Sequence, residues 1–421
     1  MQYDLVVFGG GTSGVASAYI ASKYGIKTLL VEKTDVLGGA ITQGLVIPSM
    51  KVDTQDINTE FFNDLKEFAD KYNARITYQD GNEAWFNPQL IKIALDDMLK
   101  SVNCTVLFSS EPDNIVYDTN SGIFNVTLLH KLLLLYIDTK YIIDATSIGK
   151  IFKILNCDFQ NSDDKFQNPG MRFILSGINA NKFADWLESF DKNRSVTTVY
   201  RVNNEVYLST SYTSDKSRKW ALEPVFKTAI SKNNLEPSDC TYFQLFSVPK
   251  TQDSIAFNCP RIILEDYENP LDPFVYSRSL QQGRERIYRI YQFCKKYFTG
   301  FENAYISDIS DTLGIRESYR VKGMYTITKD DIINADMPEN PALSCDYPID
   351  IHSNGGNDKL EFVKHNYYLP IETLISDKYY NLYAVGKILS ADFEAQAALR
   401  TQMSCFSMGE AAAKDILKKL N

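Results

Sequence analysis

One stretch limits what this chain can become more than any other. A mostly apolar run, Tyr3 to Phe8, breaks into Gly9, Gly10, Gly11, Thr12, Ser13 and Gly14, and an alanine-rich segment follows to Tyr24. Strand, glycine turn and helix in that order predict the first step of a dinucleotide-binding βαβ unit. The three motif glycines serve different ends. Gly9 permits a tight exit from the strand, Gly11 lets backbone amides approach a pyrophosphate, and Gly14 lets the helix lie close to the sheet. The helix start at Thr12 and Ser13 supplies amide donors and a partial positive charge. A second strand, Thr28 to Val31, ends at Glu32, whose carboxylate is placed to accept from a ribose diol.

NAD and FAD domains share this opening, so it does not separate them. The chain continues through Lys33, Leu37, Gly38, Gly39, Ala40, Thr42 and Gly44. A glycine pair just past the ribose acid suits a loop that runs close to an extended cofactor, where a Cβ would collide, and equally an ordinary flexible loop. The segment from Glu32 to Gly44 resembles the E-x-x-x-x-LGG-x-x-T-x-G stretch of FAD-dependent oxidoreductases with the glutathione-reductase type of FAD fold. More narrowly, it resembles a bacterial FAD-dependent oxidoreductase family. Leu313 to Arg320, running on to Gly323 through Thr328, is similar to that family's GvRESRRi-x-G-x-Y-x-L-T stretch. Asn381 to Gly386, with Ser390, Arg400, Cys405 and Gly409 to Ala412, is similar to its closing segment.

The resemblance implies an α/β fold: a Rossmann-like FAD-binding domain with a central parallel sheet and a β-meander, into which an α+β cap is inserted. Residues 1–158 and 300–421 would form the discontinuous FAD domain, and 159–299 the substrate cap. It implies FAD as cofactor, held at the glycine turn, Glu32, Lys33 and the Gly38–Thr42 loop. Ala145 and Thr146, in a strand resembling D-A-T-G with Ser147 in the usual glycine position, would add contacts. So would Gly386, Lys387 (an arginine in the family), Arg400, Thr401 and Gln402. A helix from Gln402 to Leu420 would aim its amino terminus at the isoalloxazine or ribityl chain.

Between these ends, Thr59 to Tyr72 and Gln89 to Lys100 carry apolar residues at helical spacing. Strands are expected at 105–108, 114–117, 124–129 and 132–138, with Asn120-Ser121-Gly122 as a hairpin turn. The chain then returns to the sheet at 141–146. The cap is expected to hold strands near 171–176, 196–202, 205–211 and 241–248, with helices at 182–190 and 218–233. A long helix, 276–297, displays Arg284, Arg286, Arg289, Lys295 and Lys296, read as a solvated basic face.

Candidate chemistry lies at Arg316 and Arg320, which share a face if 313–328 is helical. Their guanidinium groups could bind an anionic substrate or stabilise charge near flavin N1 and O2, or could form a structural network with Glu317. Tyr368, His365 and His352 are the nearby groups suited to proton transfer. Three histidines without a second ligand at metal spacing predict no metal site.

The formal charge of −9 argues against a nucleic-acid partner. Seven cysteines without a C-x-x-C pair point to reduced thiols, and the first strand leaves no room for a leader. The longest apolar run, Leu132 to Ile137, is too short to span a membrane. A cytoplasmic protein is expected. The reaction expected is hydride transfer between a small organic substrate and flavin N5. A flavin monooxygenase or halogenase is the second enzyme reading, and a non-catalytic FAD-binding redox or assembly protein the third. No second G-x-G-x-x-G has a flanking strand and helix, Ser353 to Asn357 included, so no dedicated NAD(P)H domain is expected. Substrate, electron acceptor and oligomeric state are left open.

Overall fold

The computed structural model describes residues 1–160, 166–214, 219–265, 268–352 and 359–421. Its parallel sheet runs Thr105–Leu107, Thr28–Val31, Gln2–Phe8, Leu133–Asp144, with Leu382–Ala384 joining the last of these. All five strands therefore present their carboxyl ends at one edge, where ligands bind in open α/β sheets. Alternation sorts the side chains: Leu5 and Val7 enter a core shared with helices Thr12–Lys23, Leu90–Ser101 and Gln402–Leu420. Val6 and Phe8 enter the opposite core, with Phe124, Val126 and Leu128 of the meander.

The expected strands at 132–138 and 141–146 are one continuous strand, Leu133–Asp144. Its first half pairs antiparallel with Ile123–His130; its second half pairs parallel with Gln2–Phe8. The polar Asp138-Thr139-Lys140 stretch imitates a break, yet it marks only the change of partner, and Lys140 pairs with Asp4 at 2.9 Å. The same strand thus carries the meander and delivers Ala145 to the glycine turn.

The cap is a six-stranded antiparallel sheet in the order Thr198–Val202, Glu205–Thr213, Tyr242–Ser247, Ile255–Phe257, Phe173–Ser176, Tyr305–Ile309. Two of these strands, Ile255–Phe257 and Tyr305–Ile309, were not expected from periodicity, being short or irregular in pattern. The second carries the cap sheet past residue 299. One sheet face packs under helices Ala180–Phe190 and Pro273–Tyr297. The other packs through Ile174, Tyr207 and Phe246 against Leu45, Ile47 and Trp85, outside the cap. The helix expected at 218–233 begins at Glu223, with Pro224 in its first turn; Arg218 lies outside the described residues, as do Ser353 to Asn357.

Residues 313–328 are not helical. Their backbone bridges neighbours instead, Gly314 with Gly170, Val321 with Phe159, Gly323 with Ser376 and Ile327 with Ala391. Arg316 and Arg320 therefore do not share a helix face. The basic face of Pro273–Tyr297 is also less solvated than expected. Arg289 holds the buried Asp239 through two bonds of 2.9 Å, and Arg286 donates to the Arg261 carbonyl at 2.8 Å. No described helix is long and apolar enough to cross a membrane.

Candidate functional site

The glycine turn has the geometry its sequence calls for. Gly9 lies in the left-handed region at φ +101°, and a Cβ there would sit 2.5 Å from the Ala145 carbonyl oxygen. A Cβ on Gly14 would sit 1.8 Å from the Gly9 carbonyl oxygen, so the helix reaches the turn only because that side chain is missing. Gly11 differs. It caps helix Thr12–Lys23 with an ordinary φ of −74° and no side-chain cap, and its Cβ position has nothing within 4 Å. A Cβ on Gly39, by contrast, would come within 3.0 Å of the Gly11 Cα. The two backbones therefore pack closely, while the space over Gly11 stays open beside first-turn amides that no described side chain caps.

Glu32 closes one side of the turn. It is 7% exposed; one oxygen accepts from the Gly10 amide at 2.6 Å and the other from the Thr34 amide and hydroxyl, both at 2.8 Å. The acid thus ties strand end to turn, and the oxygen facing Gly10 keeps a further lone pair for a ligand hydroxyl. Lys33 and Ala40 are exposed. Gly38 donates to the Gly10 carbonyl at 2.8 Å, fastening the second loop to the first. The buried Thr42 hydroxyl donates to the Leu37 carbonyl at 2.6 Å, which makes it a brace for that loop.

Next to the turn, the Thr146 amide and hydroxyl donate to Asp144, whose second oxygen accepts from the Ile151 amide at 2.9 Å. Ser147 adopts φ +63°, the conformation for which the family's glycine is suited. At the far end, Gly386 sits at φ +79°, and a Cβ there would meet the Ser13 hydroxyl at 2.9 Å. Thr401 caps helix Gln402–Leu420 by accepting from the Ser404 amide, and Gln402 donates to the Val46 carbonyl at 3.0 Å. Gly409 brings this helix against the first: its Cβ position is 2.3 Å from the Ser13 carbonyl oxygen. The two ends of the chain meet at one groove.

Beyond Thr401 the groove reaches a group of charges that sequence reading saw only in part. Arg172 and Arg261 come from the cap, Arg316 and Arg400 from the FAD domain. Arg400 donates to the Asp350 carbonyl at 2.9 Å and faces its carboxylate at 3.4 Å. His352 Nε2 is 3.1 Å from that carboxylate, and its Nδ1 is 2.7 Å from Arg261. The Arg261 guanidinium also lies 4.1 Å over the Tyr242 ring. Arg316 donates to the Asn168 carbonyl. Burial, then the charges of Arg400, Arg261 and Arg172, lowers Arg316 to about 9, and burial lowers Arg172 to about 10. Burial alone would raise Asp350; the hydrogen bond from His352 and the surrounding cations outweigh it and hold the carboxyl at about 2. Lys387, which donates to the Ile315 carbonyl at 2.7 Å, is lowered by burial to about 8.

The other candidates for chemistry lie elsewhere. Arg320 is buried against Glu317 at 2.7 Å and donates to the Ala391 carbonyl, the structural network foreseen as one alternative. Tyr368 donates to the Gln55 side chain at 2.8 Å, and His365 is exposed; neither touches the arginine group. His352 and Asp350 do, and the sequence offered no spacing that ties them to Arg172 or Arg261. Among the described residues no group of metal-ligating side chains forms.

A glycine-turn groove completed by the carboxyl-terminal helix defines a flavoprotein of the Rossmann-like α/β class. The chain belongs to the FAD dependent oxidoreductase family, which it matches over residues 4–414, and its cofactor is FAD. Mitochondrial dihydrolipoyl dehydrogenase of Schizosaccharomyces pombe is 28% identical over 123 residues; the match spans 29% of this chain and 22% of that protein. Among solved structures, a geranylgeranyl bacteriochlorophyll reductase-like protein of Thermoplasma acidophilum is 12% identical. That match covers 100% of this chain and 79% of the other, with a TM-score of 0.46. A flavoprotein/dehydrogenase of Cytophaga hutchinsonii gives the same identity, coverage and TM-score. A flavin-dependent halogenase is 12% identical over 99% of this chain and 58% of its own, with a TM-score of 0.49.

Proposed function

We propose that this oxidoreductase acts on a small organic substrate held between the cap sheet and the carboxyl-terminal helix, with an FAD domain of the glutathione-reductase type typical of bacterial enzymes. Bound FAD supplies a two-electron hydride acceptor or donor at N5. The chain's own residues do the positioning. The open space at Gly11, beside Gly39, would admit the pyrophosphate, Glu32 would accept from a ribose hydroxyl, and residues at the start of helix Gln402–Leu420 would hold the ring. Thr401 and Gln402 stand there, and Arg400 Nε, Gln402 Oε1 and Gln396 Oε1 are buried without a hydrogen-bond partner among the described residues. Unsatisfied buried polar atoms are costly unless a ligand meets them. The observation that carries this reading is the meeting of both chain ends at the glycine turn, beside a cap that brings its own polar groups.

The electron acceptor or donor is a separate molecule in this reading, no nucleic acid takes part, and the protein works in the cytoplasm. Anaerobic photoreduction followed by mixing with oxygen, quinones, NAD(P) and disulfides tests it. Reoxidation by an organic or protein acceptor supports a dehydrogenase. Oxygen use coupled to incorporation into product would make it a monooxygenase, and inertness to the whole panel would make it a non-catalytic flavoprotein.

A further inference from the structure

Four guanidinium groups converge where the cap meets the carboxyl-terminal helix, and among the described groups acting most strongly on Arg316 the sole carboxylate is Asp350. That carboxylate already faces Arg400 and His352. Arg172 has no side-chain hydrogen bond and no ion pair to any described residue. Such an arrangement does not stabilise a fold, because each enclosed cation loses hydration and repels the next. The neighbouring Arg320 differs, since the chain matches it with Glu317.

The floor between the guanidinium groups is kept bare. Gly170 and Gly314 bridge each other, the Gly314 amide donating to the Gly170 carbonyl at 2.7 Å. A Cβ on Gly314 would stand 3.3 Å from Arg172 Nη1, and one on Gly170 would stand 3.8 Å from Arg316 Nη2. A side chain at Gly314 would press on the Arg172 guanidinium, and one at Gly170 would touch that of Arg316. A planar donor fork with no hydrogen-bond partner among the described residues, as at Arg172, suits a carboxylate or phosphate, which accepts two parallel N–H bonds from one guanidinium.

We propose that the substrate is a small molecule bearing an oxyanion group, carboxylate or phosphate, and that Arg172 and Arg316 hold this group while Arg400 borders it on the flavin side. This assignment rests on the FAD-dependent reading of the site. It names the substrate class that the cap selects.

The test uses FAD-loaded protein at fixed ionic strength, so that general screening stays constant. Flavin stoichiometry is measured first. Malonate, inorganic phosphate and the neutral control malonamide are then titrated separately, following the flavin spectrum and the melting temperature. Saturable binding of malonate or phosphate with no response to malonamide is expected; the tighter of the two identifies the group. Arg172→Gln should weaken that binding by roughly tenfold or more, as for a lost charge-assisted pair, with flavin content unchanged. Arg172→Lys keeps the charge without the fork, and should fold normally and still bind several times more weakly.

Equal binding in wild type and both variants, or no saturable anion binding, would overturn the proposal. Loss of FAD from Arg172→Gln would overturn it too, by assigning the arginine to the cofactor. Failure of the underlying FAD reading is distinguishable, because it would show as flavin-free wild type before any anion is added.

Discussion

At the amino-terminal end of the site the walls are backbone: open space lies over Gly11, packed beside Gly39, and the groups next to it are amides at a helix start. At the other end the walls are charged side chains, with Arg172, Arg261, Arg316 and Arg400 around Asp350. Backbone recognition fixes a ligand part that never varies, since an amide cannot be exchanged by mutation. Side-chain recognition can be altered one residue at a time while the scaffold stays put. The first end is suited to a resident cofactor and the second to a substrate.

The glycines offer the largest contrast. Gly14→Ala places a methyl 1.8 Å from the Gly9 carbonyl oxygen, and the overpacking should cost more than about 3 kcal/mol and leave little folded protein. The Cβ of Gly11→Ala meets no neighbour within 4 Å, so cofactor-free protein should melt within about 1 kcal/mol of wild type. The variant should nonetheless lose roughly a hundredfold in FAD affinity, because amide contacts to a charged phosphate are worth about 1.5–3 kcal/mol each. Thermal melts beside flavin titrations separate the two effects. Equal behaviour of the two variants would break the comparison.

Arginines in the two settings should differ next. Arg320→Met removes the 2.7 Å ion-pair partner of the buried Glu317, and urea unfolding should show a loss of about 3–5 kcal/mol. Arg172→Gln removes an unpaired cation from a repulsive group, and should leave stability unchanged or raise it. A large loss in both would place Arg172 in the structural class.

The smallest effect expected is on acid stability. The Asp350 carboxyl has a lower pKa folded than unfolded, so its contribution is present above about pH 4 and is lost as pH falls toward 2. Between about pH 4.5 and 3, wild type should lose on the order of 1 kcal/mol more than Asp350→Asn in paired unfolding curves, allowing for partial solvent exposure. Parallel curves would show that Asp350 has no part in acid stability.

The same contrast explains what was legible in the chain before folding. Gly9, Gly14, Gly39 and Gly386 are demanded by backbone contacts or positive φ, so they leave a readable pattern with Gly11 at its fixed spacing, and Glu32 follows at the end of the next strand. Arg172 and Arg261 are single arginines before and after two cap strands far apart in sequence, brought together by the pairing of those strands and the Gly170 bridge to Arg261. A Pro-Gly just before Arg172 and a Pro just before Arg261 were the local hints, marking chain bends without naming a partner. Arg316 was legible through its family-like segment; its direction was not, since that segment is extended and bridged. The 139–140 stretch misled for a related reason, as polar residues inside a long strand look like a loop until both partners are known.

The most direct measurement is a crystal structure of the protein with FAD and malonate. The pyrophosphate should lie against the Gly11 amide, the isoalloxazine ring beside Arg400 and Gln402, and a malonate carboxylate on Arg172 and Arg316. An isoalloxazine ring bound away from the start of helix Gln402–Leu420, or malonate found only outside the arginine group, would contradict this division of the groove.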